Sequence, residues 1–214
     1  MADAETWRPI PPLERRVLGV LVEKQKTSKT ADAYPMTLNS IALGCNQKSN
    51  RDPVLELDDD EVEEVLDALQ TKGVVGKMTG SRVDRWRHLL YELWRVSKVE
   101  MAVMAELLLR GPQSAGDLKP RASRMDPIGS ADELRALLDA LAARNLVVWL
   151  APPDRRGALV THGFHTDDEL AEAKAGAGVP GDTAARPAGD SRLTALEAEV
   201  AELRARVDKL ERGS

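Results

Sequence analysis

Asp58–Val75 reads DDDEVEEVLDALQTKGVV, and the chain writes this pattern twice. Val62, Val65, Leu66 and Leu69 recur as Leu134, Leu137, Leu138 and Leu141, each displaced by 72 positions. The start signal recurs as well, Asp58-x-x-Glu61 becoming Ser130-x-x-Glu133. Both have the form of a capping box, an oxygen that accepts from the third helical N–H and a Glu that reaches back. The stop signal recurs as Gly73 and Asn145, residue types that tolerate the left-handed conformation just past a helix. Behind each stop stands an apolar pair, Val74-Val75 and Leu146-Val147. Each copy therefore predicts a capped amphipathic helix that feeds a strand.

Upstream, Leu13–Lys24 carries Leu13, Val17 and Leu21 on one stripe with Leu18 and Val22 beside it, and Pro12 suits its first position. Pro35-Met-Thr37 opens a short helix with Leu38, Ile41 and Leu43. Val74–Met78 and His88–Val96 are expected as strands joined by a turn over Thr79–Arg87. The pattern restarts at Ser97-x-x-Glu100, where Val99, Val103 and Leu107 repeat the first helix at a displacement of 86. Pro112, Ser114 and Leu118 repeat the second helix at 77, and the third follows at 72. Strand Leu146–Leu150, turn Pro152–Gly157 and strand Ala158–Thr161 close the second copy. The falling displacement places longer loops in the first copy, where closure entropy grows slowly with length.

Three helices followed by a hairpin is the winged-helix plan. The expected fold is mostly α (α+β): an extended arm over 1–12, and winged-helix domains over 13–96 and 97–165. A flexible linker over 166–190 and a coiled-coil helix over 191–212 complete it. Neither copy alone hides much surface, so the two are expected to pack together. In the last segment Leu193, Leu196, Val200, Leu203, Val207 and Leu210 alternate by three and four, a dimerisation seam. In a parallel pair its flanks match Arg192 with Glu197, Glu199 with Arg204 and Arg206 with Glu211, all opposite in sign. A centred antiparallel pair would oppose Arg192 to Arg206. The expected partner is thus a second copy of the chain, in a parallel homodimer.

With 43% apolar residues but only 3% aromatic, the core must be built from Leu, Val and Ala. The net charge of −5 gives no electrostatic case for nucleic acid at the level of the whole chain. One cysteine, Cys45, excludes an internal disulfide. No signal-peptide pattern and no long apolar run is present, which predicts a cytoplasmic protein with no membrane partner.

Residues 58–72 hold seven acids and one base, and this third helix is the one that ordinarily enters the major groove. Its acids oppose phosphate and suit a basic protein partner instead. The turns are cationic: Lys77, Arg82, Arg85 and Arg87 surround Trp86, and Arg155 and Arg156 tip the second. They are candidates for the backbone of double-stranded DNA; the alternative is a solvated hairpin with Trp86 packed on its own sheet. NQKSNRDP supplies Asn46, Gln47, Lys48, Ser49, Asn50 and Arg51, able to grip phosphate or a base edge. The alternative there is a loop satisfied by its own side chains. Cys45 has no His nearby and fits a buried apolar role, and His162-x-x-His165 is weak as a metal site. No glycine-rich phosphate cradle or nucleophile elbow occurs. No catalytic residue, metal or cofactor is expected, and the chain is not expected to be an enzyme.

LERRVLGVLVEKQ (13–25), YPMTLNS (34–40), CNQKSNRDPV (45–54) and the RVDRWRH turn (82–88) resemble the YceH-like family of bacterial proteins. The resemblance covers residues 13 to about 165. It implies a tandem winged-helix fold and no reaction.

Overall fold

A computed structural model of the chain describes residues 8–79 and 83–177. All of them fall within the first of the two units into which the chain divides, Met1–Val179. Arg82, the expected coiled-coil seam and residues 178–190 of the expected linker lie outside the described residues.

The first half runs through α1 (Pro12–Thr27), a 3-10 turn (Ala31–Ala33), α2 (Leu38–Cys45), α3 (Asp59–Thr71), β1 (Val75–Met78), β2 (Arg85–His88) and α4 (Leu90–Trp94). The second runs through α5 (Lys98–Arg110), β3 (Gln113–Ser114), α6 (Ala115–Ala122), α7 (Ala131–Ala142), β4 (Val147–Trp149), β5 (Leu159–His162) and α8 (Asp167–Ala177). The result is a mixed α/β fold, mainly helical, with two small antiparallel sheets.

The repeated sequence makes repeated backbone. Asp58 and Ser97 each form a full capping box with Glu61 and Glu100. Ser130 accepts from the Glu133 N–H, but Glu133 reaches past it to the N–H of Gly129 (2.7 Å). After α3 the N–H of Val74 donates to Leu69 and that of Gly73 to Gln70; after α7 Leu146 donates to Leu141 and Asn145 to Ala142. This paired closure needs a left-handed residue, and Gly73 (φ 69°) and Asn145 (φ 55°) supply it. The exits match too: Leu89 donates to Val74 (2.9 Å) and Gly163 to Leu146 (2.7 Å). A Cβ on Gly163 would overlap the backbone oxygen of Asn145, so only glycine fits there.

In the first sheet Val75 lies opposite His88 and Met78 opposite Arg85. Met36 adds a third edge, exchanging two backbone bonds with Trp86 (3.0 and 2.8 Å). The second sheet has the order β3-β5-β4, with Gln113 opposite Val160 and Val147 opposite His162. Gln113 occupies the place of Met36, and His162 that of His88.

Two expectations are corrected. The strand expected over His88–Val96 runs instead over Arg85–His88, overlapping the turn expected over Thr79–Arg87, and Leu90–Trp94 is helical. Leu90 and Trp94 are both buried, four residues apart, so the apolar spacing is that of a helix. The linker expected from residue 166 begins instead with α8. Thr166 and Glu169 form a capping box, the Glu169 N–H to Thr166 Oγ1 (3.2 Å) and the Thr166 N–H to Glu169 Oε2 (2.9 Å).

The two halves share one core, in which α1 packs along α5. Residues 14–23 of α1 and 101–109 of α5 are buried without a break, so neither helix has a solvent face through its middle. The close approach is at Gly19, where a Cβ would lie 2.8 Å from Leu109 Cγ. No helix among the described residues is long and apolar enough to cross a membrane.

The duplicated histidines are both buried, and in both Nδ1 faces the N–H two residues on, Leu90 and Phe164, at 3.3 Å. His88 Nε2 then donates to Gln25 Oε1 (2.7 Å), which fixes the neutral tautomer. Burial, then the charges of Lys26 and Arg87, push the His88 pKa down to about 4. Burial, then His165 and Arg15, lower that of His162 well below the ordinary range. The unfolded chain therefore binds protons that the folded chain refuses, and stability falls as pH drops from about 6.5 toward 4. His88 contributes about 3 kcal/mol of that loss. Urea unfolding between pH 7 and 4 should show the loss, and His88→Gln should shrink it; an unchanged pH dependence in the variant would contradict this assignment.

Candidate functional site

The 46–52 loop is built from side chains that satisfy its own backbone. The Asn46 amide donates to Leu57 O (2.7 Å) and accepts from Leu57 N–H (2.8 Å), closing the loop at its base. Asn50 sits at φ 61°, and its Oδ1 accepts from Arg110. Arg51 is 6% exposed and donates to Gly44 O (2.9 Å), Asn50 O (2.7 Å) and the Glu23 carboxylate (2.6 Å). The Asp52 N–H donates to Leu109 O at the end of α5 (3.0 Å). From α1, Arg16 donates to Cys45 O (3.1 Å) and Pro53 O (2.6 Å). Asn50 and Arg51 thus tie the loop to α5 and α1, and Asn46 closes its base, as in the alternative of a loop satisfied by its own side chains. Gln47 is half-buried, and Lys48 and Ser49 remain exposed. Cys45 is fully buried, and burial pushes its thiol up to about 12, which leaves no thiolate at neutral pH.

The hairpin cations separate into two groups. Arg85 Nη1 donates to Asp32 O (2.7 Å) and Pro35 O (2.8 Å), tying the hairpin to the segment before α2. Lys77 pairs with Asp84 (3.0 Å) and lies 5.0 Å from the centre of the Trp86 ring, which is buried. Arg87, Arg155 and Arg156 are exposed and have no carboxylate partner among the described residues. They are the cations left for an outside partner.

On α3 the carboxylates of Asp60, Glu63, Glu64 and Asp67 are all exposed. The one base of residues 58–72, Lys72, turns back to Glu14 of α1 (2.6 Å), while Lys77 of β1 lies at electrostatic range of Asp67 and Glu63. On α7, Arg135 pairs with Asp139 (3.0 Å) and Asp154 (3.3 Å), and stands 5.5 Å from the centre of the Trp149 ring. His162 and His165 stack at 4.0 Å, and His165 Nε2 bonds Thr161 Oγ1 (2.9 Å). Among the described residues no group of three or more His, Cys, Asp and Glu could hold a metal.

A charged network absent from the expected site lies at the seam of the two halves. Glu106 is fully buried in α5 and pairs with Arg110 (3.0 Å) and Arg124 (3.3 Å). Burial raises its pKa, and Arg110, Arg124 and Arg121 pull it back. Gln113 links the two sides, its amide donating to Glu106 O (3.4 Å) and accepting from Arg121 (2.6 Å). The sequence does carry a signal, a single acid inside the apolar run MAVMAELLL (101–109). A buried lone acid must be paired.

A family model described as "Protein of unknown function, DUF480" matches residues 10–156. The chain is similar to a UPF0502 protein of Geobacter sulfurreducens, 43% identical over 195 residues, 89% of this chain and 88% of the relative. A UPF0502 protein of Mesorhizobium japonicum is 41% identical over 204 residues, 93% of this chain and 95% of the relative. One of Rhodopirellula baltica is 44% identical over 163 residues, 76% and 68% of the two chains. These matches agree with the resemblance read from the motifs.

Removing one partner of a buried ion pair leaves the other uncompensated. Glu23→Gln should therefore cost about 3–5 kcal/mol, whereas Lys48→Ala, three positions from Arg51, should stay within about 0.5 kcal/mol. Urea denaturation of both variants checks the contrast; equal effects would place Arg51 outside the load of the fold.

Proposed function

The chain belongs to the DUF480 family, and we propose that it is a DNA-associated regulatory protein that contacts the phosphate backbone through its two hairpins. One observation carries the reading: Arg87, Arg155 and Arg156 are exposed on the two hairpins without carboxylate partners among the described residues. The order of three helices and a hairpin, present twice, supports a tandem winged-helix architecture. The exposed acids of α3 oppose ordinary groove reading by the first copy, so contact falls to the hairpins and sequence selectivity is low. The heptad stripe from Leu193 to Leu210 supports action as a homodimer, which would double the number of cationic hairpins.

Phosphate contact releases counterions, so affinity for duplex DNA must fall steeply with salt. The triple variant Arg87→Ala, Arg155→Ala, Arg156→Ala should lower the slope of log affinity against log salt by about 2–3 per chain. Fluorescence anisotropy of a labelled duplex reads the slope, and light scattering on the same sample should give the mass of two chains. Absence of binding at low salt ends this reading.

A second reading rests on the acidic face of α3, with Leu43 (65% exposed) on α2 and Val54 (52%) on the following loop. Exposed apolar groups together with exposed acids suit a basic, amphipathic protein segment. Here a lysine-rich amphipathic peptide should bind the protein and be lost on Glu63→Lys with Glu64→Lys. Retention by that variant counts against it.

A further inference from the structure

The network at the seam contains more positive than negative charge. Arg51, Arg110, Arg121 and Arg124 act on one another or on Glu106 at electrostatic range, and the carboxylates within the network are Glu23 and Glu106. Glu23 is taken by Arg51 (2.6 Å), and Glu106 is shared between Arg110 and Arg124. Of the neighbouring acids, Asp126 is paired with Lys26 (2.8 Å), and Asp117 bonds the Ser114 hydroxyl (2.7 Å). The four guanidinium groups outnumber the two carboxylates of the network, and two of them, Arg121 and Arg124, sit at its open side. The Arg124 side chain is 43% exposed, and Arg121 is half-buried. They are held in place: Arg121 is aimed by Gln113 (2.6 Å), and Arg124 Nε donates to Arg121 O (3.1 Å). Among the described residues Gln113 is the partner of the Arg121 side chain, whose other guanidinium nitrogens face no carboxylate.

We infer that Arg121 and Arg124, backed by Arg110, form an anion site at the seam that takes a phosphate group. Three properties match that class of ligand. The network holds four guanidinium groups against two carboxylates, which favours an anion. Guanidinium forks donate in pairs to the oxygens of phosphate, which an ammonium cannot do. The donors are pre-positioned by bonds to Gln113, Glu106 and the backbone, so little side-chain freedom is lost on binding. The site adjoins the C-terminal end of α5, where Arg110 also holds the 46–52 loop through Asn50. A bound anion would thus compete with Glu106 and Asn50 for the same guanidinium groups, and would reach the loop through them. It is separate from the hairpin tips and stands whether or not these contact DNA.

Titration calorimetry of the full chain with inorganic phosphate, at constant ionic strength set by chloride, tests the site. Saturable binding of one phosphate per chain is expected, weakened at least tenfold in Arg121→Gln with Arg124→Gln, and unchanged in Lys98→Gln, an exposed cation at the opposite end of α5. Arg124→Lys keeps the charge beside Glu106 and should still weaken binding severalfold, which serves if the double variant unfolds. No saturable binding, or equal affinity in all variants, overturns the inference. Two further arms separate the sources. Tenfold loss for a nucleoside monophosphate alone marks a free phosphomonoester as ligand, and the same loss for duplex DNA marks a backbone phosphate.

Discussion

The contact of α1 with α5 is the constraint that the rest of the molecule accommodates. Each helix is buried on all sides over its central turns, which is possible only if each is surrounded by elements from both halves. A single half, cut away, would expose the other face of its first helix to water. It would lose apolar burial that a unit of this size cannot replace from its remaining helices and hairpin. Gly19 sets the spacing, since the missing side chain lets Leu109 lie directly on the backbone of α1. The two copies are therefore one cooperative body, although their sequences read as a repeat.

Burying a helix on every side also buries its charges. Glu14, Arg15, Arg16 and Glu23 of α1, and Glu106 of α5, lie within this body. A buried ion is costly unless a countercharge or hydrogen bonds compensate it. Each is met from outside its own helix: Glu14 by Lys72, Arg15 by the backbone of Phe164 (3.2 Å) and by Glu169, Arg16 by two loop carbonyls, Glu23 by Arg51, Glu106 by Arg124. The polar NQKSNRDP segment and the start of α8 are thus fixed by charges on the central helices. A loop that looks like a ligand grip is in large part the lining of an ion pair.

The parts legible in the sequence are those written in local chemistry. The capping boxes at Asp58 and Ser97, the left-handed stops at Gly73 and Asn145, and the heptad-like stripes of α3 and α7 need only nearby residues. The parts that were not legible depend on distant ones. Leu90–Trp94 alternates well enough to pass for a strand, and only the burial of both ends against the core makes it helical. Met36 joins a sheet through one pair of bonds to Trp86, fifty residues away, without any strand pattern of its own. The capping box at Thr166 and Glu169 was visible, but the Ala- and Gly-rich stretch that follows concealed it. In the site, exposure decided the matter. Arg51 and Arg87 are the same residue type in similarly polar surroundings, yet one is locked under the loop and the other faces solvent. Glu23 and the carbonyls of Gly44 and Asn50 distinguish them.

Duplication with a shared core has a further consequence for where the halves can differ. Positions that close the backbone are tied, because both copies need the same turn: His88 and His162 keep their neutral rings against the following N–H, and the helix stops keep their bond pairs. Solvent-facing positions carry no such tie. On α3 the outer face is a run of carboxylates, while on α7 the corresponding face pairs Arg135 with Asp139 within itself. The hairpins differ as well, the first weighted by Trp86 beneath Lys77, the second carrying Arg155 and Arg156 at its turn. An electrostatic partner therefore meets two unlike surfaces on one repeated scaffold. In the proposed reading the acids of α3 would keep phosphate off that face and Arg87, Arg155 and Arg156 would meet it at the hairpins, so the difference between the copies, not the repeat itself, would select what can approach.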